Sequence, residues 1–151
     1  MLFQRINRSN PEKVFIVVYN SYSSASLSNG QAVNWDFITD CDGVGVTMPL
    51  ARATNAGVAI AGIVAETIAA GAYGLIQVYG YHSAVRFRTV TGGSPAGAKG
   101  RPLAVNVAGS VFCLETMSTA STVILKYPCA FALSAYTLFT TSTIAAFVKC
   151  L

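Results

Sequence analysis

The chain has 151 residues, ten basic and six acidic, so 11% are charged and 53% apolar, against roughly 25% charged in an average soluble domain. A mean hydropathy of +0.52 excludes intrinsic disorder, and the length supports one hydrophobic core without disulfide or metal staples. The net charge of +4 comes from scattered cations, which permits an acidic partner without specifying one, and so few charges require a surface rich in Ser, Thr, Asn and Gly or hidden against other chains.

In chain order, residues 1–13 read as an N-terminal arm: Arg5, Arg8 and Lys13 precede the first apolar run, and Pro11 disfavours helix at Asn10. The start lacks the apolar core of a signal peptide. Residues 14–19 are a continuous apolar run of strand length, followed by a small-polar connector over 20–30. Val33, Trp35 and Phe37 alternate with Asn34, Asp36 and Ile38, which predicts a strand with Trp35 in the core; Asp42-Gly43 then marks a tight turn, with 44–47 leaving it. Residues 57–64 read as a buried strand despite alanines that favour helix.

After a glycine-punctuated turn over 67–74, Leu75, Gln77, Tyr79 and Tyr81 alternate with Ile76, Val78, Gly80 and His82. Val85 and Phe87 then alternate with Arg86 and Arg88. This predicts a half-exposed strand or hairpin whose arginines face water or a partner. Residues 91–102 hold too many Gly and Pro for a regular element and form a long loop carrying Lys99 and Arg101. Further strands are expected within 103–114, 122–127, 130–139 and 144–151. The uncharged stretch 127–148 is long enough to span a membrane, but Pro128 and the Ser/Thr cluster at 140–143 fit strands joined by a turn. The pattern predicts an all-β chain: a single β-sandwich or barrel over 14–151, jelly-roll-like, with the extended arm in front.

Catalytic residues are not expected. The lone histidine, His82, lies in a strand, and Cys41 sits between Asp40 and Asp42, whose charge raises a thiol pKa, the wrong direction for a nucleophile. Asp36, Asp40 and Asp42 lack the distal ligands of a calcium loop and read as solvated turn carboxylates that can accept backbone N–H bonds in the turn. The glycine spacings at Gly57/Gly62 and Gly43/Gly45 lack the other residues of nucleotide loops and read as strand-edge glycines, so no cofactor or metal is expected. Tyr79, Tyr81 and Phe87 interleave with His82, Arg86 and Arg88 as in single-strand binders, but aromatics at period two fit a core better, so nucleic acid is not an expected partner. Cys41, Cys113, Cys129 and Cys150 form no Cys-x-x-Cys pair and read as buried thiols in a reducing compartment, with a Cys113–Cys129 bridge as the alternative.

The segments Ala32-Val-Asn-Trp-Asp36, Asp42-Gly-Val-Gly-Val-Thr-Met-Pro49, Ala56-Gly-Val58 and Thr67-Ile-Ala-Ala-Gly-Ala-Tyr-Gly-Leu-Ile-Gln-Val-Tyr-Gly-Tyr81 resemble the small capsid decoration, or cement, proteins of tailed bacteriophages. The closing Ala146-Phe-Val-Lys149 is similar to their basic C-terminal strand, and the likeness covers residues 32–88. The Ser-rich N-terminal third and the cysteines have no counterpart in it. The resemblance implies a non-enzymatic β-fold on the outer surface of a virion. It would act as a homo-dimer or homo-trimer clamping major capsid proteins of the HK97-like fold. Under that reading Arg5, Arg8, Lys13, Arg86, Arg88, Lys99 and Arg101 are the expected contacts to acidic capsid surface. The alternative is a phage fibre or receptor-binding module that recognises a host glycan through exposed aromatics.

Overall fold

The computed structural model describes residues 12–40, 43–49, 60–87, 99–105, 114–116, 128–136 and 142–150. These form nine strands in one sheet: β1 (Lys13–Asn20), β2 (Ala32–Trp35), β3 (Gly45–Thr47), β4 (Ile60–Val64), β5 (Tyr73–Phe87), β6 (Pro102–Val105), β7 (Leu114–Thr116), β8 (Ala130–Ala132) and β9 (Ser142–Lys149). The expectation of a single all-β domain of sandwich or barrel type holds.

The sheet closes on itself twice around β5. Strands run in the order β1-β3-β2-β4-β5, and β1 also pairs with β5; they continue β5-β7-β6-β8-β9, and β9 also pairs with β5. Two five-stranded rings therefore share one 15-residue strand, and closure leaves few free edges. Each ring contains one parallel contact: β1 with β3, and β5 with β7 at Phe87 and Leu114. These pairings define rings and do not by themselves define a jelly roll.

Each ring encloses a core. Val18, Val33, Val46, Ile76 and Val78 fill the first, and Val85, Phe87, Leu103, Ile144 and Val148 the second. Ala32 and Ile63 belong to the second core although their chain neighbours Val33 and Val64 belong to the first, so β2 and β4 have both faces covered and carry apolar residues on each. Cys150 packs against both cores. The halves thus form one unit.

What the sequence offered as a strand or hairpin is one strand with an irregularity. His82 lies opposite Ala146 and Val85 opposite Ile144, three steps on β5 against two on β9, so the extra residue at Ser83-Ala84 is a β-bulge. The bulge changes which parity points inward: Ile76, Val78 and His82 are buried before it, Val85 and Phe87 after it. The other predicted strand, over 33–38, stops at Trp35. The Asp36 carboxylate accepts the backbone N–H groups of Ile38 (3.2 Å) and Thr39 (3.0 Å), bending the chain into a turn that leaves Phe37 and Ile38 exposed. Trp35, expected in the core, is half-buried and packs against the first core from its edge. Gly62 lies inside β4 and Gly45 begins β3. Within the uncharged stretch 127–148 the chain forms β8 and most of β9, and among the described residues no helix is long and apolar enough to cross a membrane.

Candidate functional site

An antiparallel strand with one face on a core presents polar residues on the other. β1 does not: Phe15, Val17 and Tyr19 alternate with inward Ile16 and Val18 and yet remain apolar or aromatic. In register with β5, Phe15 stands opposite Gln77, Val17 opposite Leu75 and Tyr19 opposite Tyr73. Val17 is 62% and Tyr73 68% exposed, and Phe15 and Leu75 are exposed as well. The Tyr19 and Tyr73 rings pack at 5.2 Å between centroids. Further along β5 a second aromatic group is half-buried: Tyr79 meets Phe147 of β9 edge to face at 5.1 Å, and Lys13 Nζ lies 5.8 Å from the centre of the Tyr81 ring.

Beside the Tyr19/Tyr73 pair lies a cleft of about 440 Å³, whose lining includes Ser23, Thr39, Asp40 and Val44. Its floor is rigid because Asn20 is fully buried and satisfied. The Asn20 side-chain amide donates to the carbonyls of Ala25, Ile68 and Ala69, and its oxygen accepts the Tyr22 N–H. Ser21 Oγ donates to Asp36 Oδ2 at 2.6 Å. Burial pushes the Asp36 carboxyl up, but the hydrogen bonds from Ser21, Thr39 and Ile38 outweigh it and hold the group below its ordinary value. Asp36 accepts backbone N–H bonds in the turn, as expected, but it is buried, not solvated.

His82 is buried beside the bulge. Its Nδ1 accepts the Ala84 N–H at 3.2 Å and the ring also bonds the Val64 carbonyl, a pair satisfied by the neutral tautomer protonated on Nε2. Burial lowers its pKa, the Val64 bond opposes this, and the charge of Lys13 lowers it further; the net direction is down. Because the unfolded imidazole takes a proton near pH 6.5 and the folded one only at lower pH, this contribution to stability is complete above about pH 6.5 and is lost as pH falls from there through the folded value. Urea midpoints should fall between pH 7.5 and 5.5 in the wild type, and His82→Gln should remove part of that fall; an unchanged pH slope in the variant contradicts the assignment.

Of the sequence-predicted contact residues, Lys13 is the exposed first residue of β1, opposite Gly80. Arg86 is half-buried opposite Thr143, after the bulge. Lys99 is exposed in a turn, and Arg101 precedes β6, its carbonyl accepting the Ala132 N–H at 2.9 Å. Arg5, Arg8 and Arg88 lie outside the described residues, as do most of the arm, Cys41, Asp42, Cys113 and the strand expected over 122–127. Phe87 and His82 point into the interior, so among the described residues the aromatic and cationic interleaving is limited to Tyr79, Tyr81 and Arg86. Sequence reading missed the Phe15/Val17/Leu75/Tyr73 face. Its signal was the unbroken apolar run 14–19, read as strand without asking what its second face meets. Among the described residues, no group of three or more His, Cys, Asp or Glu side chains is placed to hold a metal.

No protein-family model matches the chain, and no curated protein matches it. Among solved structures, the N base of the head fiber gp8.5 of bacteriophage phi29 aligns with a TM-score of 0.45 at 10% identity, over 92% of this chain and 96% of that one.

Proposed function

We propose that the chain is a non-enzymatic structural protein of a phage particle that binds the outer surface of the head and cements neighbouring major capsid subunits. The observation that carries this reading is the exposed Phe15/Val17/Leu75/Tyr73 face. Apolar side chains contiguous across two paired strands mark a surface built to be covered by protein. The resemblance of residues 32–88 to capsid decoration proteins supplies the class of partner, a major capsid protein of the HK97-like fold. Sister copies arranged as a dimer or trimer would engage the shell at several points, so that modest single contacts add up to stable attachment. Lys13, Arg86, Lys99 and Arg101 are the described cations that would meet an acidic shell, and Arg5, Arg8 and Arg88, outside the described residues, are proposed for the same role.

The test is co-sedimentation with purified heads. The double variant Val17→Lys/Leu75→Lys changes exposed positions only, so it should fold with an unchanged circular dichroism spectrum. It should lose at least about tenfold in head affinity, since two interface residues at about 1 kcal/mol each exceed the 1.4 kcal/mol of one decade. Unchanged binding would sink the role of this face.

The cleft favours a second reading, a glycan-binding module, because Tyr19 and Tyr73 offer ring faces to a sugar beside the Asp40 carboxylate and the Ser23 and Thr39 hydroxyls. Binding in a glycan screen together with no head binding would replace the first reading by this one.

A further inference from the structure

The seam of the second ring lies where the chain enters β8 and leaves β9. Ala130 is opposite Val148, and Lys149 N–H donates to the Cys129 carbonyl at 2.7 Å, so positions 129 and 149 face each other with Cys150 one residue further on. There two thiols meet. Cys150 Sγ donates to the Cys129 carbonyl oxygen at 3.5 Å, Cys129 Sγ donates to that of Leu103 at 3.6 Å, and Cys150 packs against the core that holds Cys129. Both are free thiols. Cys129 is buried and Cys150 half-buried, and the Cys150 N–H donates to the Val78 carbonyl at 2.9 Å, fixing the C-terminal segment to the middle of β5.

We propose that Cys129 and Cys150 are a disulfide-forming site that seals this seam when the protein meets an oxidising thiol–disulfide couple. The inference goes beyond the proposed function and stands whatever the chain binds. The chemistry starts at the accessible sulfur. With glutathione disulfide as oxidant, the Cys150 thiolate attacks one glutathione sulfur, forming a mixed disulfide and expelling a glutathione thiolate. The Cys129 thiolate then attacks the Cys150 sulfur, forming the Cys129–Cys150 bond and expelling the second glutathione thiolate. The two thiol protons pass through solvent to the two released glutathiones, and the cysteine pair loses the two electrons that the oxidant gains. The hydrogen bond with Cys150 and burial push the Cys129 thiol well up, so the second step is the slower one and accelerates with pH.

Such a bond ties β8 to the end of β9 and limits the freedom of the unfolded chain between them. The experiment incubates the folded full chain with glutathione disulfide at pH 8, alkylates the remaining thiols and maps unreduced peptides by mass spectrometry. The expected result is a peptide pair joined through Cys129 and Cys150, with a thermal midpoint raised by about 5–10 °C that reverts on reduction. Cys150→Ser, at a half-buried position, should fold and lose both the link and the rise. Cys150 found only as the glutathione adduct, a link through Cys41 or Cys113 instead, or full alkylation of both thiols would each overturn the site. The expected link without a change of midpoint would overturn its sealing role.

Discussion

Phe87→Ala is expected to destabilise the protein by about 3–5 kcal/mol, the range for removing a fully buried aromatic ring. Phe87 is the last residue of β5 and has no exposed surface. It stands opposite Ser142 of β9 and beside Leu114 of β7, and its ring packs on Tyr136 at 4.4 Å between centroids. It therefore fills the second ring where β5 pairs with β7 and closes it. Because Ala32 and Ile63 on first-ring strands pack into the same core, and β5 runs through both rings, the loss should appear as one cooperative transition at lower urea, not as melting of one half. Hydrogen exchange checks this: amides of β1 and β4 should lose protection together with those of β9. Retained protection in the first ring alone would show that the halves unfold independently.

Gly80→Ala is expected to cost at least about 3 kcal/mol and to abolish soluble expression in a marginal background. At Gly80 β5 is paired on both edges, with Lys13 of β1 on one side and Val148 of β9 on the other. Its φ is +100°, and a Cβ there would lie 2.0 Å from the Glu12 carbonyl oxygen. Backbone cannot yield as a flexible side chain does, so the substitution must separate β1 from β5 and open the first ring. Gly43→Ala provides the control, since its φ of +81° carries comparable strain but nothing lies within 4 Å of the added methyl. That variant should lose only about 1–2 kcal/mol, the cost of the left-handed conformation alone. Equal losses in the two variants, measured by urea denaturation, would show that the close approach at Gly80 contributes nothing.

The parts of the fold legible in the sequence are those set by local pattern. The run 14–19, the alternation from Leu75 to His82 and its resumption at Val85 each gave a strand where one exists, since side-chain direction alternates with period two. What depended on a side-chain bond or a distant partner was not legible. Asp36 reads as the polar member of an alternating strand, but its carboxylate captures two N–H groups ahead of it and stops the strand. Ser83-Ala84 reads as a possible hairpin break, and only the spacing on β9 shows it to be a bulge in a continuous strand. The two rings could not be read at all, because each closes through pairings far apart in sequence, such as Val14 with Tyr79 and Phe87 with Ser142.

For the candidate site the same division holds. The basic residues were visible as residue types, yet the described ones are spread over β1, β5 and the approach to β6, so their number did not reveal a single patch. The apolar face required knowing that β1 pairs with β5, which places Val17 beside Leu75 and Tyr19 beside Tyr73. Once paired, these residues give the scarcity of charge a location: part of the uncharged surface is an exposed apolar sheet face.

Attachment to the head is tested by the copy number of the chain bound at saturation to purified heads, determined by quantitative mass spectrometry against the major capsid protein. A cementing protein should saturate at a fixed ratio set by a repeated lattice position, reached cooperatively and lost in the Val17→Lys/Leu75→Lys variant. A substoichiometric ratio that varies between preparations, or no association with heads at all, would contradict it.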